Sequence, residues 1–182
     1  FSGTGSVGKT DKQKGYTVTS LDLKNADINC DILEWDYKKY QPEYFDTIWS
    51  SPPCTEYSTC LTTRPRNLNK ADKIVLKTIE IIDYFKPKYY YIENPFTGLL
   101  RKRDIMKDHY YFTVDYCKYG YDYRKRTCIF TNNKQFIPNK LCRQDCNKCV
   151  NQKHIGHFGT AGASCNLDQK HSIPPDLLLI LL

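Results

Sequence analysis

Five short apolar runs recur along the first two thirds of the chain, each bounded by polar, Gly or Pro residues: Thr17 to Leu21, Thr47 to Ser50, Tyr89 to Ile92, Phe112 to Tyr116 and Thr127 to Phe130. Runs of this length with such flanks read as buried strands. Between the second and third lies a helical pattern, in which Ala71, Ile74, Val75, Thr78, Ile82 and Phe85 fall at three- and four-residue steps and make one apolar face. Lys86-Pro87 ends it, because proline cannot continue a helix. Strands alternating with helical stretches predict an α/β domain around a mostly parallel sheet. A chain of 182 residues can bury one such core and is short for two, so a single domain is expected.

Beyond Asn132 the character changes. Asn133 to Asn166 is polar, holds four of the nine cysteines and has no sustained period, as expected of an insert or small subdomain. Ser172-Ile173-Pro174-Pro175 then leads into Asp176 to Leu182, where a proline near the first turn suits a closing helix. The only strongly apolar run, Leu177 to Leu182, is far shorter than the roughly 20 residues that span a bilayer, so no membrane span is expected. The opening residues have neither the charged nor the apolar stretch of a targeting peptide. Nine scattered cysteines without an export signal point to free thiols in an intracellular, reducing compartment. Lys and Arg outnumber Asp and Glu by 27 to 20, and the resulting +7 suits a polyanionic partner as well as it suits a plain basic surface.

Gly3-Thr4-Gly5-Ser6-Val7-Gly8-Lys9-Thr10 fits the phosphate-cradling GxxxxGK[ST] loop without a mismatch. A nucleotide hydrolase using it also needs a Mg²⁺-holding Asp at the end of a later apolar strand. The nearest candidate, Tyr89-Tyr90-Tyr91-Ile92-Glu93, ends in Glu. The same residues also resemble the first loop of a methyltransferase-type Rossmann fold, Phe1-Ser2-Gly3-Thr4-Gly5, with Asp22 at the distance expected of the acid that bonds a ribose. Phe1 already sits inside that motif, so residues are expected ahead of it. The loop by itself leaves both readings open.

Three further segments weigh on the choice. Phe45 to Ser58 reads as a strand running through Ser50-Ser51-Pro52-Pro53 onto Cys54, a place where reactive groups of open α/β sheets gather, although a cysteine under a proline turn is often only a small apolar filler. Lys86 to Pro95 closes a strand on Glu93-Asn94, and Arg124-Lys125-Arg126 precedes the strand beginning at Thr127, with Gly120 upstream. Together, in this order, the four segments resemble the C-5 cytosine-specific DNA methyltransferases over roughly Phe1 to Asn132, with a weaker echo at Ile173 to Leu182. The match has departures: Ser51, Pro52 and Thr55 replace the commonest Gly, Phe and Gln, and the Gln that precedes the arginine pair is missing. Ser51-Pro52-Pro53 also resembles the start of the amino-methyltransferase motif, but Cys54 stands where that motif carries an aromatic residue.

The resemblance implies a Rossmann-like S-adenosylmethionine-dependent methyltransferase fold with a small Cys-rich insert. Residues 1–132 would form the catalytic domain, 133–171 a reduced target-recognition insert, and 172–182 a helix returning to the catalytic domain. It implies Cys54 as the nucleophile, Glu93 as the acid that bonds the base, Arg126 on the base oxygen, and Arg124 orienting Glu93 and lowering the thiol pKa. The cofactor would lie along Phe1, Gly3 and Gly5, with Asp22 on the ribose and Asp31 near the adenine amine. The partner would be cytosine-containing DNA, with a target base taken out of the stack. Cys142, Cys146, Cys149 and Cys165, with His154 and His157 among them, offer enough ligands for structural zinc, against which free thiols in a loop remain open. An insert this small predicts a short, loose target or a partner protein that carries recognition. A nucleotide hydrolase on Gly3–Thr10 and a non-catalytic DNA-binding relative stand as alternatives.

Overall fold

Asn67 starts the long helix earlier than the apolar periodicity predicts. In the computed structural model, which describes residues 3–156 and 171–182, its side chain accepts the backbone N–H of Lys70 at 3.0 Å, so the helix runs Leu68–Phe85 (α2). It ends where expected, on Lys86 in the left-handed conformation, whose N–H returns to the carbonyl of Ile82 at 2.8 Å. The buried face holds Ala71, Val75, Thr78, Ile81, Ile82 and Phe85, and also Asp72. A carboxylate on that face is tolerable because it is paired: Arg103 bonds it at 2.6 Å and the Tyr57 hydroxyl donates to it at 2.9 Å.

The other elements are α1 (Ser6–Gln13), β1 (Leu21–Asp22), β2 (Ile28–Asn29), β3 (Thr47–Ser50), β4 (Tyr89–Pro95), β5 (Tyr111–Asp115), β6 (Arg126–Thr131), β7 (Cys149–Val150), β8 (Lys153–His154) and α3 (Pro175–Leu181). The main sheet has the order β3-β4-β6-β5. β3 and β4 pair in parallel, and β6 runs antiparallel to both of its neighbours, β4 and β5, so β3, β4 and β5 run one way, as a mostly parallel sheet requires, and β6 alone is reversed. The reason lies in the connections. A parallel return needs a crossover, usually a helix, whereas residues 116–125 make only a 3-10 turn and a loop, enough to fold the chain back beside itself.

Period-two alternation along the strands divides the core into two layers. Tyr91, Val114 and Ile129 face one side, where Leu177, Leu178 and Leu181 of α3 cover them. Ile92, Cys128 and Phe130 face the other, against Ala71, Val75 and Ile82 of α2. The strands at the centre are therefore covered on both faces, which explains their near-continuous apolar reading.

The expected strand at Thr17 to Leu21 shrinks to Leu21–Asp22. Asp27 takes its place as partner: the Ser20 N–H and hydroxyl both bond its carboxylate, at 2.8 and 2.6 Å. β1 pairs with β2 in a separate two-stranded sheet. Between this sheet and β3 lies a cavity of about 120 Å³, lined mainly by apolar side chains such as Leu21, Ile28, Trp35 and Ile48. Among the described residues no helix is long and apolar enough to cross a membrane.

Candidate active site

The loop after β3 carries Cys54, and four contacts fix its course. Asn94, at the end of β4, donates its amide to the carbonyl of Pro52 at 3.0 Å, and the N–H of Tyr57 returns to the carbonyl of Cys54 at 3.1 Å. Tyr57 is fully buried with its hydroxyl on Asp72, and its own carbonyl accepts the N–H of Leu99 at 2.9 Å. The proline turn is thus tied to β4, α2 and the loop beyond β4, and Cys54 is left half-buried at the carboxyl end of the parallel pair.

Glu93 is buried on β4, one residue before the asparagine that holds this loop. The phenol of Tyr116 donates to its Oε1 at 3.2 Å, and Lys125 Nζ lies 3.4 Å from the same oxygen. Lys125 is itself buried and sits over the Tyr116 ring, 5.0 Å from its centre. Burial, and then the charge of Glu93, push the Tyr116 phenol well above its ordinary value, so it stays a hydrogen-bond donor. Burial also pushes the Cys54 thiol up, Glu93 adds to that, and the Lys125 ammonium opposes it. Thiol, carboxylate and ammonium are therefore one electrostatic unit.

Sequence reasoning put Arg124 beside Glu93 and missed both Lys125 and Tyr116. In the structure Arg124 is exposed, and Lys125 occupies the position at the carboxylate; the thiol is raised, not lowered. The pleat decides this. Glu93 lies opposite Ile129 across the β4–β6 pair, and Lys125, four residues before Ile129, shares its parity, whereas Arg124 and Arg126 have the other. Parity counted back from Thr127 to Phe130 was the signal available in the sequence. Arg126 instead pairs across β5 and β6 with the buried Asp115, its Nε and one Nη at 2.9 and 2.7 Å from the two carboxylate oxygens.

At the N-terminal end, Gly3 and Gly5 have φ of +51° and +69°, in the left-handed region that glycine adopts without strain, and among the described residues no atom lies within 4 Å of where a side chain would begin. The N–H of Gly3 donates to Asp22 at 3.0 Å, which brings two of the expected cofactor residues together. Asp31 is exposed after β2, one of its oxygens accepting the N–H of Leu33 at 3.0 Å. Phe1 lies outside the described residues. The open backbone of the glycine turn, next to a carboxylate, fits the amino-acid and ribose parts of S-adenosylmethionine. It does not fit a hydrolase loop: the Thr10 hydroxyl, which would have to meet Mg²⁺, is buried and donates to the carbonyl of Ser6 at 3.1 Å.

Of the four cysteines expected to bind metal, Cys142 and Cys146 do lie together, but their companions are Cys117 and His154. Cys149, also expected in the set, has its sulfur 3.5 Å from that of Cys146 and lies beside this foursome, not within it. Cys165 and His157 lie outside the described residues. Cys117 escaped the sequence reading because it precedes the Cys-rich segment, in the turn after β5.

In this mixed α/β protein a thiol, a carboxylate and an ammonium meet near the ends of two parallel strands, a set of groups suited to covalent chemistry. The chain belongs to the C-5 cytosine-specific DNA methylase family, whose model matches residues 9–139. It is also 32% identical, over 211 aligned positions, to the "Probable DNA (cytosine-5)-methyltransferase" of Frog virus 3 (isolate Goorha), and the alignment takes in 100% of this chain and 96% of that relative.

Proposed function

We propose that this chain transfers a methyl group from S-adenosylmethionine to carbon 5 of cytosine in DNA through a covalent Cys54–cytosine adduct, on a Rossmann-like scaffold. The observation that carries the reading is the grouping of Cys54, Glu93 and Lys125.

Carbon 5 of cytosine is too weak a nucleophile to take a methyl group unaided. Addition of the Cys54 thiolate to carbon 6 forms the S–C bond and moves the ring electrons toward nitrogen 3, leaving an enamine whose carbon 5 is nucleophilic. Glu93 takes up the proton that the Cys54 thiol gives up and passes it to nitrogen 3 as that charge develops. Lys125 has two functions: it favours the thiolate before attack, and it stabilises Glu93 after the proton has left. Tyr116 fixes the carboxyl rotamer. S-adenosylmethionine supplies the methyl group, and Gly3, Gly5, Asp22 and Asp31, with Phe1, bind and orient it. Once carbon 5 is methylated, loss of its proton to a base restores the double bond and expels the Cys54 thiolate, and nitrogen 3 returns its proton to Glu93.

Arg126 keeps one Nη for the base oxygen while Asp115 holds the rest of the guanidinium, and the exposed Arg124 serves the phosphate backbone. Zinc is the second cofactor, held in the segment that contains Cys142 and Cys146. That segment is too small to carry many base contacts, each of which contributes about 1–3 kcal/mol of discrimination. The target is accordingly short and loose, or a partner protein supplies recognition.

The test is trapping. DNA containing 5-fluorocytosine, mixed with the chain and S-adenosylmethionine, should give an adduct that survives denaturation, and Cys54→Ser should give none. The absence of any adduct with the wild-type chain, while S-adenosylmethionine binds, would leave a non-catalytic DNA-binding relative.

A further inference from the structure

The foursome outside the active site has a geometry that free thiols do not need. The ligand atoms of Cys117, Cys142, Cys146 and His154 all lie within 4.8 Å of one another. His154 Nε2 is 3.5 Å from the sulfurs of both Cys142 and Cys146. Two ligands of a tetrahedral zinc ion, with Zn–S of about 2.3 Å and Zn–N of about 2.0–2.1 Å, stand about 3.6 Å apart. The imidazole is thus spaced from the Cys142 and Cys146 sulfurs as along two edges of such a tetrahedron, and the Cys117 sulfur lies within 4.8 Å of the other three ligand atoms. The backbone N–H of Gln144 points at the Cys142 sulfur at 3.3 Å, the kind of contact that steadies a thiolate ligand.

The four residues come from two parts of the chain. Cys117 belongs to the turn that follows β5, whereas Cys142, Cys146 and His154 belong to the Cys-rich segment. Other contacts run along the same seam. Lys118 pairs with Asp145 at 2.8 Å and Lys148 with Asp122 at 2.9 Å, and the N–H of Gly156 meets the carbonyl of Asp122 at 2.9 Å. The N–H of Cys142 bonds Asp115, the carboxylate that holds Arg126. The described Cys-rich segment adds almost nothing to the apolar clusters of the sheet, and its own strands, β7 and β8, have two residues each. Hairpins of that size do not hold by themselves.

We propose that Cys117, Cys142, Cys146 and His154 bind one structural Zn²⁺, which staples the Cys-rich segment to the β5–β6 turn and thereby fixes the Asp115–Arg126 pair beside the active site. The proposal rests on the reading of the Cys-rich segment as a zinc site and names its ligands. Four protein ligands leave no open position, so the ion has no part in the methyl-transfer chemistry.

Metal analysis of the full chain, expressed with zinc and freed of loosely bound metal by gel filtration, should give about one zinc per chain. Cys117→Ser and Cys146→Ser should lose it. Cys149→Ser and Cys54→Ser should keep it, which separates this site from catalysis. Replacement by Co²⁺ reports the donor set on the unmutated chain, so the proposal stays testable if Cys117→Ser does not fold: a tetrahedral site with three thiolates and one imidazole is expected. Zinc retained by Cys117→Ser but lost by Cys149→Ser, or a four-thiolate cobalt spectrum, would overturn the ligand set while leaving a zinc segment. No bound metal in the folded wild-type chain would overturn both, and neither result touches the methyltransferase reading, which the trapping reaction decides.

Discussion

The two halves of the candidate site are built to different standards. On the base side, Glu93 and Asn94 stand on a seven-residue central strand with packed layers on both faces, and the Cys54 loop is tied to β4 and α2 by side-chain and backbone bonds. On the proposed cofactor side, Asp22 ends one two-residue strand and Asp31 comes just after another, and among the described residues one hydrogen bond joins Asp22 to the glycine turn. The groups proposed to make and break bonds are therefore held in place in advance, whereas those proposed to hold the methyl donor stand on short turns whose order depends on few contacts. Preorganisation matters most where charge develops in the transition state, and least where a ligand can contribute its own binding energy to ordering a loop.

The largest effect expected is on the rigid side. Cys54→Ser should abolish methyl transfer, measured with labelled S-adenosylmethionine, while circular dichroism and cofactor affinity remain as in the wild type. A hydroxyl is hardly ionised at neutral pH and cannot replace the thiolate. Substantial residual turnover would remove Cys54 from its role. Next, Glu93→Gln should slow transfer by about 10²-fold, in the range usual for a lost acid-base group, with little change in affinity for the cofactor. An unchanged rate would mean that the carboxylate only fills space.

A pH experiment comes third and sharpens the comparison inside the rigid half. Because the Cys54 thiol is held above its ordinary value, its thiolate fraction at neutral pH is low and grows as pH rises. Alkylation of Cys54 by a small haloacetamide should therefore accelerate with pH through and beyond the normal thiol range. Lys125→Met removes the opposing positive charge and should move the inflection further up, with a loss in transfer rate of about tenfold. Glu93→Gln removes the negative charge and should move it down. Identical profiles for all three chains would separate Cys54 electrically from its neighbours.

The smallest effect belongs to the cofactor side. Asp22→Ala should weaken S-adenosylmethionine binding by roughly tenfold, about 1.4 kcal/mol, in calorimetric titration, with turnover at saturating cofactor nearly unchanged. Amide exchange should be fast over residues 16–36 in the free chain and should slow when the cofactor is added, while β4 and β6 stay protected throughout. Equal protection of both halves in the free chain would break the comparison.

Much of this organisation is legible in the residues. The run Thr47 to Ser50 coincides with β3, and the others at Tyr89, Phe112 and Thr127 mark β4, β5 and β6 to within three residues at each end, because an apolar strand covered on both faces has no other composition available to it. Asn67 could have been read as the cap of α2, since its side chain is of the type that accepts an N–H at a helix start. Cys54 and Glu93 were also accessible, each closing an apolar run on a reactive side chain. The strand at Thr17 to Leu21 was overestimated: its residues suit a strand, but the Asp27 carboxylate satisfies the Ser20 N–H in place of a neighbouring chain.

What the sequence alone determined is therefore the order of elements, the family resemblance, and the choice of Cys54 and Glu93 as the residues proposed to open and support the reaction. These follow from local patterns and from short motifs whose chemistry depends on residue type. The tertiary structure alone decided which basic residue of Arg124-Lys125-Arg126 meets Glu93, and which cysteine completes the set around His154. Both depend on register between segments far apart in the chain. A shift of one residue along a strand exchanges the faces on which Lys125 and its arginine neighbours project, and only the pairing of β4 with β6 fixes that register. Likewise, Cys117 comes within reach of Cys142 because β5 and β6 fold back on each other, a turn that no local pattern announces.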